Sequence, residues 1–470
     1  MIEALERQLD SFEAVERKRA LAELCEQVEA GRIDLPQMGT DVNIHCHTFF
    51  SYNTYGYSPS KFAWLARKRG LAVAGVVDFD VLDALDEFLD AARLLGLKGC
   101  AGLETRVYVP EFSTRVINSP GEPGISYHMG VGFPNARLDG QQREFLLSLR
   151  RTAQQRNREL MGRVNEYLRP LELDYERDVL VLTPSGNATE RHICLAYARK
   201  AAELFGETPR TNLLPCWAGG PGGAHTSSRA TGSATAGRLV RGLQGFWAEK
   251  LGVDVELSWL PESRGILDTI RAKTMKRGGV GYVQPGKGSF PWMADMNRFI
   301  LTAGAIPVHT WLDGTSDGEK DIEELLEVAM STGAAAINVI PDRNYTPGAG
   351  SQKLENLYAV VELAEKLHLP VVMGTEMNSP GQKFVDDLDT DELRPLAPVF
   401  LKGAHIVYAH SVLQQRCGFG YTSEWAAKSF DDVESKNKFF EELGSSLHPK
   451  QEDKLNGLGE QNSPQEILRR

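Results

Sequence analysis

Paired cysteines are missing from this chain. Its six cysteines, Cys25, Cys46, Cys100, Cys194, Cys216 and Cys417, are scattered over 470 residues without a CxxC, which argues against a disulfide framework and a thiolate zinc site. Also missing is any evident run of the roughly 20 apolar residues that a membrane span needs. The opening residues, MIEALERQLDSFEAVERKRA, alternate charge with apolar side chains at helical spacing and lack the apolar core of a signal peptide. The expected location is the cytoplasm, away from membranes. Positive charge is in deficit, with 52 Lys and Arg against 63 Asp and Glu and a net charge of −11. That balance argues against a general nucleic-acid-binding surface. No Gly-rich loop follows the first apolar strand, which disfavours a doubly wound dinucleotide-binding sheet.

What is present is an ordinary globular composition, 42% hydrophobic and 24% charged, on a chain long enough for an elaborated α/β barrel. Residues 2–30 read as an amphipathic helix within an N-terminal helical extension over 1–40. From residue 41 short apolar strands alternate with helices, the pattern of parallel βα units. Strands are expected at 41–47, 71–80, 98–105, 125–133, 305–311, 334–340, 369–376 and 404–411. Between the fourth and fifth of these the rhythm breaks into long polar helices. The result is an expected barrel over 41–135 and 290–430, a mainly helical insertion over 136–289, and a polar C-terminal tail over 431–470. Within the insertion, 219–237 (GGPGGAHTSSRATGSATAG) has no bulky apolar residue and reads as a flexible loop, so His225 carries no chemistry in this reading.

Barrel enzymes place their chemistry at the carboxyl ends of the strands. Those ends carry His45 and His47 on the first strand, Asp78 on the second, Glu104 on the third, His128 on the fourth, His309 on the fifth and Glu376 on the seventh. In the stretch DVNIHCHTFFSY, alternation puts His45 and His47 on one face of the first strand. With only 10 histidines in the chain, their collection beside carboxylates points to a metal site. Asp78 also suits a structural strand-end role, with Asp80 available as a helix cap. His192 reads as a packed structural residue, and His368 and His448 as exposed. His410 falls at the end of the eighth expected strand, where it could face the site, and Asn338 lies inward on the sixth.

These residues resemble the polymerase and histidinol phosphatase (PHP) domain family, many of whose members are metal-dependent phosphoesterases. The likeness covers about 41–135 and 290–380. His45-Cys46-His47 is similar to the family's opening HxH, VVDFDVLDALDEF to its second motif, and GLET to the segment that supplies a glutamate, here Glu104. SYHMGVGF and NRFILTAGAIPVHTW resemble the segments that supply His128 and His309. VVMGTEMNS stands where an Asp-x-His motif is expected, giving Glu376 and Asn378. GNATERHICLAYA resembles a helix start in the family's inserted subdomain and offers Arg191 as a phosphate contact.

The resemblance implies a distorted TIM-like (βα)7–8 barrel of the PHP type with N- and C-terminal helical extensions. It also implies a binuclear centre of two divalent cations, Zn, Mn or Fe by the nitrogen and oxygen donors. His45, His47 and Glu376 would serve one ion, His128 and His309 the other, with Glu104 bridging. Glu104 and His309 are then the expected catalytic residues, Arg191 and Asn378 the expected substrate contacts, and a small phosphorylated metabolite or nucleotide the expected substrate. The positions that supply a third metal in the family read here Asn53 or Tyr55, Phe79 and Asn378. Two further functions fit the same residues: a binding or regulatory protein on a decayed catalytic scaffold, and a non-phosphate metal-dependent hydrolase of the amidohydrolase type. Against the latter, no strand-end lysine is available to bridge two metals.

Overall fold

The computed structural model describes residues 1–205, 234–286, 288–345 and 352–470. The chain divides into two compact units, Met1–Thr48, Tyr57–Leu149 and Lys287–Arg470 in the first, and Phe49–Gly56 with Arg150–Gly286 in the second.

The first unit is built on a single sheet of seven strands in chain order: β1 (Val42–Cys46), β2 (Val73–Phe79), β3 (Lys98–Tyr108), β4 (Ile125–Val131), β5 (Ile306–Thr310), β6 (Ala336–Val339) and β7 (Val371–Met373). All seven fall where the apolar runs place them. Their near-continuous burial follows from helices or strands lying against both faces. The connecting helices start and stop on local signals. Pro59–Arg69 is capped by the Ser58 hydroxyl, which accepts from the Lys61 N–H, and ends at Gly70 in the left-handed conformation.

The sheet nearly closes into a barrel. Beyond β7 the Glu376 N–H donates to the His45 carbonyl at 2.8 Å, and the His47 N–H donates to the Glu376 carbonyl at 2.9 Å, which joins β7 back to β1. Gly374 permits that approach, since a Cβ there would sit 2.5 Å from the His45 nitrogen.

Three expectations are corrected. The strands are not all parallel, because β4 runs antiparallel to both β3 and β5. The eighth strand does not exist: residues 404–411 lie inside the helix Ala397–Cys417, which packs on the sheet with eleven buried residues. A run of apolar and β-branched residues looks the same in a buried strand and in a buried helix, and only its length separates the two. At Gly403 this helix crosses β7 so closely that a Cβ would collide with the Val371 carbonyl. The helix region Arg394–Cys417 is also long and apolar enough to cross a membrane by composition, yet 67% of its apolar window is buried inside the protein. Finally, the C-terminal segment is not a polar tail. Its helix Val433–Ser446 buries Phe439, Phe440 and Leu443 in the same core as the sheet.

At the other end, residues 2–30 form two helices, Ile2–Gln8 and Ala14–Glu29, in place of one. Leu5, Leu9, Leu21 and Leu24 are buried.

The second unit is helical, with a core around Val164, Tyr197, Trp247 and Ile266. Residues 219–233 of the Gly/Ser-rich stretch, His225 included, lie outside the described residues, and a helix, Ala234–Leu251, begins immediately after them.

Candidate metal centre

Strand β1 presents His45, His47 follows one residue past its end, and β3 presents Glu104 two strands away. Alternation along each strand turns all three toward the barrel interior, where every one is fully buried. The Glu104 carboxylate Oε2 lies 3.5 Å from His45 Nε2 and 3.1 Å from His47 Nε2. One ligand atom from each residue lies within 4.8 Å of the other two. The His45 Nε2 and Glu104 Oε2 atoms are within ion-pair reach but make no aligned hydrogen bond, an arrangement suited to lone pairs directed at a common point. Phe79, opposite Glu104 in the β2–β3 register, stacks on His47 with ring centroids 4.5 Å apart.

Burial alone would push the Glu104 carboxyl up, but His45 and His47 outweigh it and hold the group at about 2. Burial alone would push His45 down, yet the Glu104 charge, with a smaller contribution from Glu376, raises it. The buried carboxylate is thus held ionised by the two histidines beside it.

Glu376 belongs to the turn that closes the barrel. It and Met377 hold positive φ, 58° and 54°, a conformation that costs a non-glycine residue energy and is kept only where the surroundings enforce it. The enforcing contacts are the two backbone bonds to β1 described above. The Glu376 carboxylate accepts from Gln382 Nε2 at 3.0 Å and acts on His45 through its charge; it is outside the three-residue cluster. Asn378, two residues on, is half-buried.

No family model matches this sequence, and no curated protein does. Among solved structures, the chain is similar to an amidohydrolase from Chromobacterium violaceum with bound sulfate and no metal, at 15% identity and a TM-score of 0.47, over 76% of this chain and 96% of that one. It is also similar to a protein from Bifidobacterium adolescentis described as a metal-dependent phosphoesterase, at 15% identity and a TM-score of 0.46, over 78% and 98%. At this level the likeness concerns the backbone and assigns no chemistry.

The structure does not bring His128 and His309 to the triad. In the β3–β4 register Glu104 is opposite Met129, whereas His128 is opposite Thr105, and His128 in turn is opposite His309. Cross-strand partners share a face and successive residues do not, so both histidines project on the side away from Glu104. The contacts agree: His128 Nε2 lies 2.5 Å from the Asn297 side-chain oxygen, on the helix Met293–Thr302 behind the sheet. The two rings are 6.5 Å apart. Burial lowers His128 to about 4, and burial with the neighbouring His128 lowers His309 to about 3. The bridging geometry expected for Glu104 between two ligand sets is therefore not what the register builds.

Other candidates have structural partners. Asp78 accepts from the Thr48 N–H at 2.8 Å and the Thr48 hydroxyl at 2.6 Å. His410 sits on a buried helix, where Nδ1 accepts from the Tyr421 N–H at 2.9 Å and Nε2 faces the Gly304 carbonyl at 3.1 Å. In the second unit, His192 Nδ1 accepts from the Thr189 N–H at 3.1 Å, and Arg191 lies 3.5 Å from Asp268 and over the Tyr52 ring.

The sequence reading missed Thr310. It shares a register row with Asn338, the inward residue whose side-chain oxygen lies 3.2 Å from His45 Nδ1. Its signal is parity: if Asn338 faces inward, so does its partner on β5, which is Thr310 and not His309.

Proposed function

We infer that this chain is a cation-dependent hydrolase whose ion is held by His45, His47 and Glu104. The observation that carries the reading is the convergence of these three buried residues, whose ligand atoms lie within 4.8 Å of one another. Two imidazoles and a carboxylate suit Zn, Mn or Fe and do not suit a soft thiolate metal. Three protein ligands leave further coordination positions for water and substrate, as catalytic sites require and purely structural sites do not.

A divalent ion held by His45, His47 and Glu104 would supply Lewis-acid activation of water and neutralisation of charge on a substrate oxygen. The protein's own contribution is to bind and to exclude. Glu104 keeps its charge available between the two imidazoles, and the surrounding strands keep bulk water from the ligand atoms. The substrate class proposed is a small phosphoester, because attack on an anionic ester gains most from charge neutralisation. One ion is assigned, since the residues expected to hold a second lie on the other face of β4 and β5.

A second reading, a binding protein on a degenerate scaffold, draws support from Phe79, whose ring stacks on His47 at a position where the resemblance leads one to expect a histidine.

Metal analysis with an aryl phosphate assay separates the two. The catalytic reading expects close to one equivalent of transition metal, hydrolysis that chelator abolishes, and loss of both metal and activity in His45→Ala and Glu104→Gln. Metal bound tightly without turnover of any phosphoester in a panel supports the degenerate reading, and a wild-type protein that takes up no metal refutes the centre itself.

A further inference from the structure

Beside the triad, the barrel interior holds two polar groups whose hydrogen-bonding capacity is unused. Asn338 on β6 and Thr310 on β5 are neighbours in register and both fully buried. Asn338 Oδ1 lies 3.2 Å from His45 Nδ1, while its amide Nδ2 has no hydrogen-bond partner, nor has the Thr310 hydroxyl. A buried donor left without a partner is destabilising, so two in adjacent positions on one face call for an explanation. Their shared face is the interior one, because the Asn338 side chain reaches His45.

We propose that Asn338 and Thr310 form a phosphoryl-oxygen subsite next to the cation, and that Asn338 also positions the metal ligand His45. This rests on the cation reading above. A histidine that binds a cation through Nε2 must carry its proton on Nδ1, and a proton on Nδ1 needs an acceptor. The Asn338 side-chain oxygen is that acceptor. With the oxygen so used, the amide turns its N–H donors away from His45, and the Thr310 hydroxyl on the adjacent strand adds one more. Donors of this kind, fixed by a sheet and without a competing protein partner, suit an oxyanion brought in by substrate. Asn338 is thus a positioning residue toward the cation and a binding residue toward the substrate.

The two roles separate by substitution, read by cobalt(II) titration in visible absorption and then by inorganic phosphate titrated into the cobalt-loaded protein. Asn338→Leu removes the acceptor and is expected to weaken cobalt about 10–100-fold, the usual cost of losing a residue that orients a metal ligand. Asn338→Asp keeps an acceptor for Nδ1–H but replaces the amide donors with charge. Cobalt affinity should then hold within about 3-fold while phosphate weakens at least about 10-fold, as for loss of a hydrogen bond to a charged group. Thr310→Val, nearly isosteric and so the variant surest to fold, should leave cobalt unchanged and weaken phosphate roughly 5–10-fold. Wild-type cobalt affinity in Asn338→Leu would remove the positioning role. Phosphate that fails to perturb the wild-type cobalt spectrum, or that binds Asn338→Asp and Thr310→Val as it binds the wild type, would remove the subsite. If instead the wild type takes up no cobalt, or His45→Ala takes it up equally well, the triad reading itself fails, an outcome distinct from those that touch only Asn338 and Thr310.

Discussion

At the scale of single residues, the site is decided by parity along a strand. Four histidines sit near strand ends, and composition treats them alike, but His45 and His47 face Glu104 while His128 and His309 face the opposite layer. A shift of one position moves a side chain to the other face. The consequence for His309 is measurable: neither of its ring nitrogens has a hydrogen-bond partner in a fully buried setting, and a buried unsatisfied polar group costs about 1–3 kcal/mol. His309→Leu should therefore leave metal content unchanged and raise the urea midpoint by the equivalent of about 1 kcal/mol. A drop of one metal equivalent in this variant would restore His309 to the centre. The pairing of His45, His47 and Glu104 was legible from the HxH spacing and the strand-end position of Glu104. The dismissal of His128 and His309 was not, because parity on β4 depends on its register with β3.

At the scale of elements, the chain's clearest ambiguity was the apolar run at 404–411. Eight residues, five of them Ala, Ile, Val or Tyr, read as a strand, and the flanking residues, which extend the run to a 21-residue helix, are what overturn that reading. Ala397–Cys417 ends at Gly418 in the left-handed conformation (φ 79°), an ordinary helix stop. Gly403 tests the packing directly. In an exposed helix Gly→Ala stabilises by about 1 kcal/mol, but a Cβ at residue 403 would strike the Val371 backbone of β7. Gly403→Ala should accordingly destabilise by about 1–3 kcal/mol in urea unfolding, the range of overpacked cores. A stabilised variant would show that this helix and β7 are not in contact.

At the scale of the whole molecule, burial of neutral histidines links stability to pH. Burial lowers His192 to about 3 and His410 to about 4, alongside His128 at about 4 and His309 at about 3. Their unfolded values lie near 6.5, so between pH 6.5 and 4 the unfolded chain binds protons that the folded chain refuses, and stability falls as pH falls through that window. Each group costs on the order of 3 kcal/mol by pH 4, against a total stability of about 5–15 kcal/mol for a typical domain. Far-UV circular dichroism should therefore show cooperative acid unfolding between pH 6 and 4, and a urea midpoint that stays flat from pH 7 to 4.5 would contradict these burials. Local pattern sufficed for the seven strands and for placing His45, His47 and Glu104 at strand ends, because periodicity acts within a few residues. It could not tell the antiparallel course of β4, the sides taken by His128 and His309, the helix in place of an eighth strand or the packing of the C-terminal segment. Each of these depends on which distant backbone a residue lies against, and that is settled when the chain closes around its core.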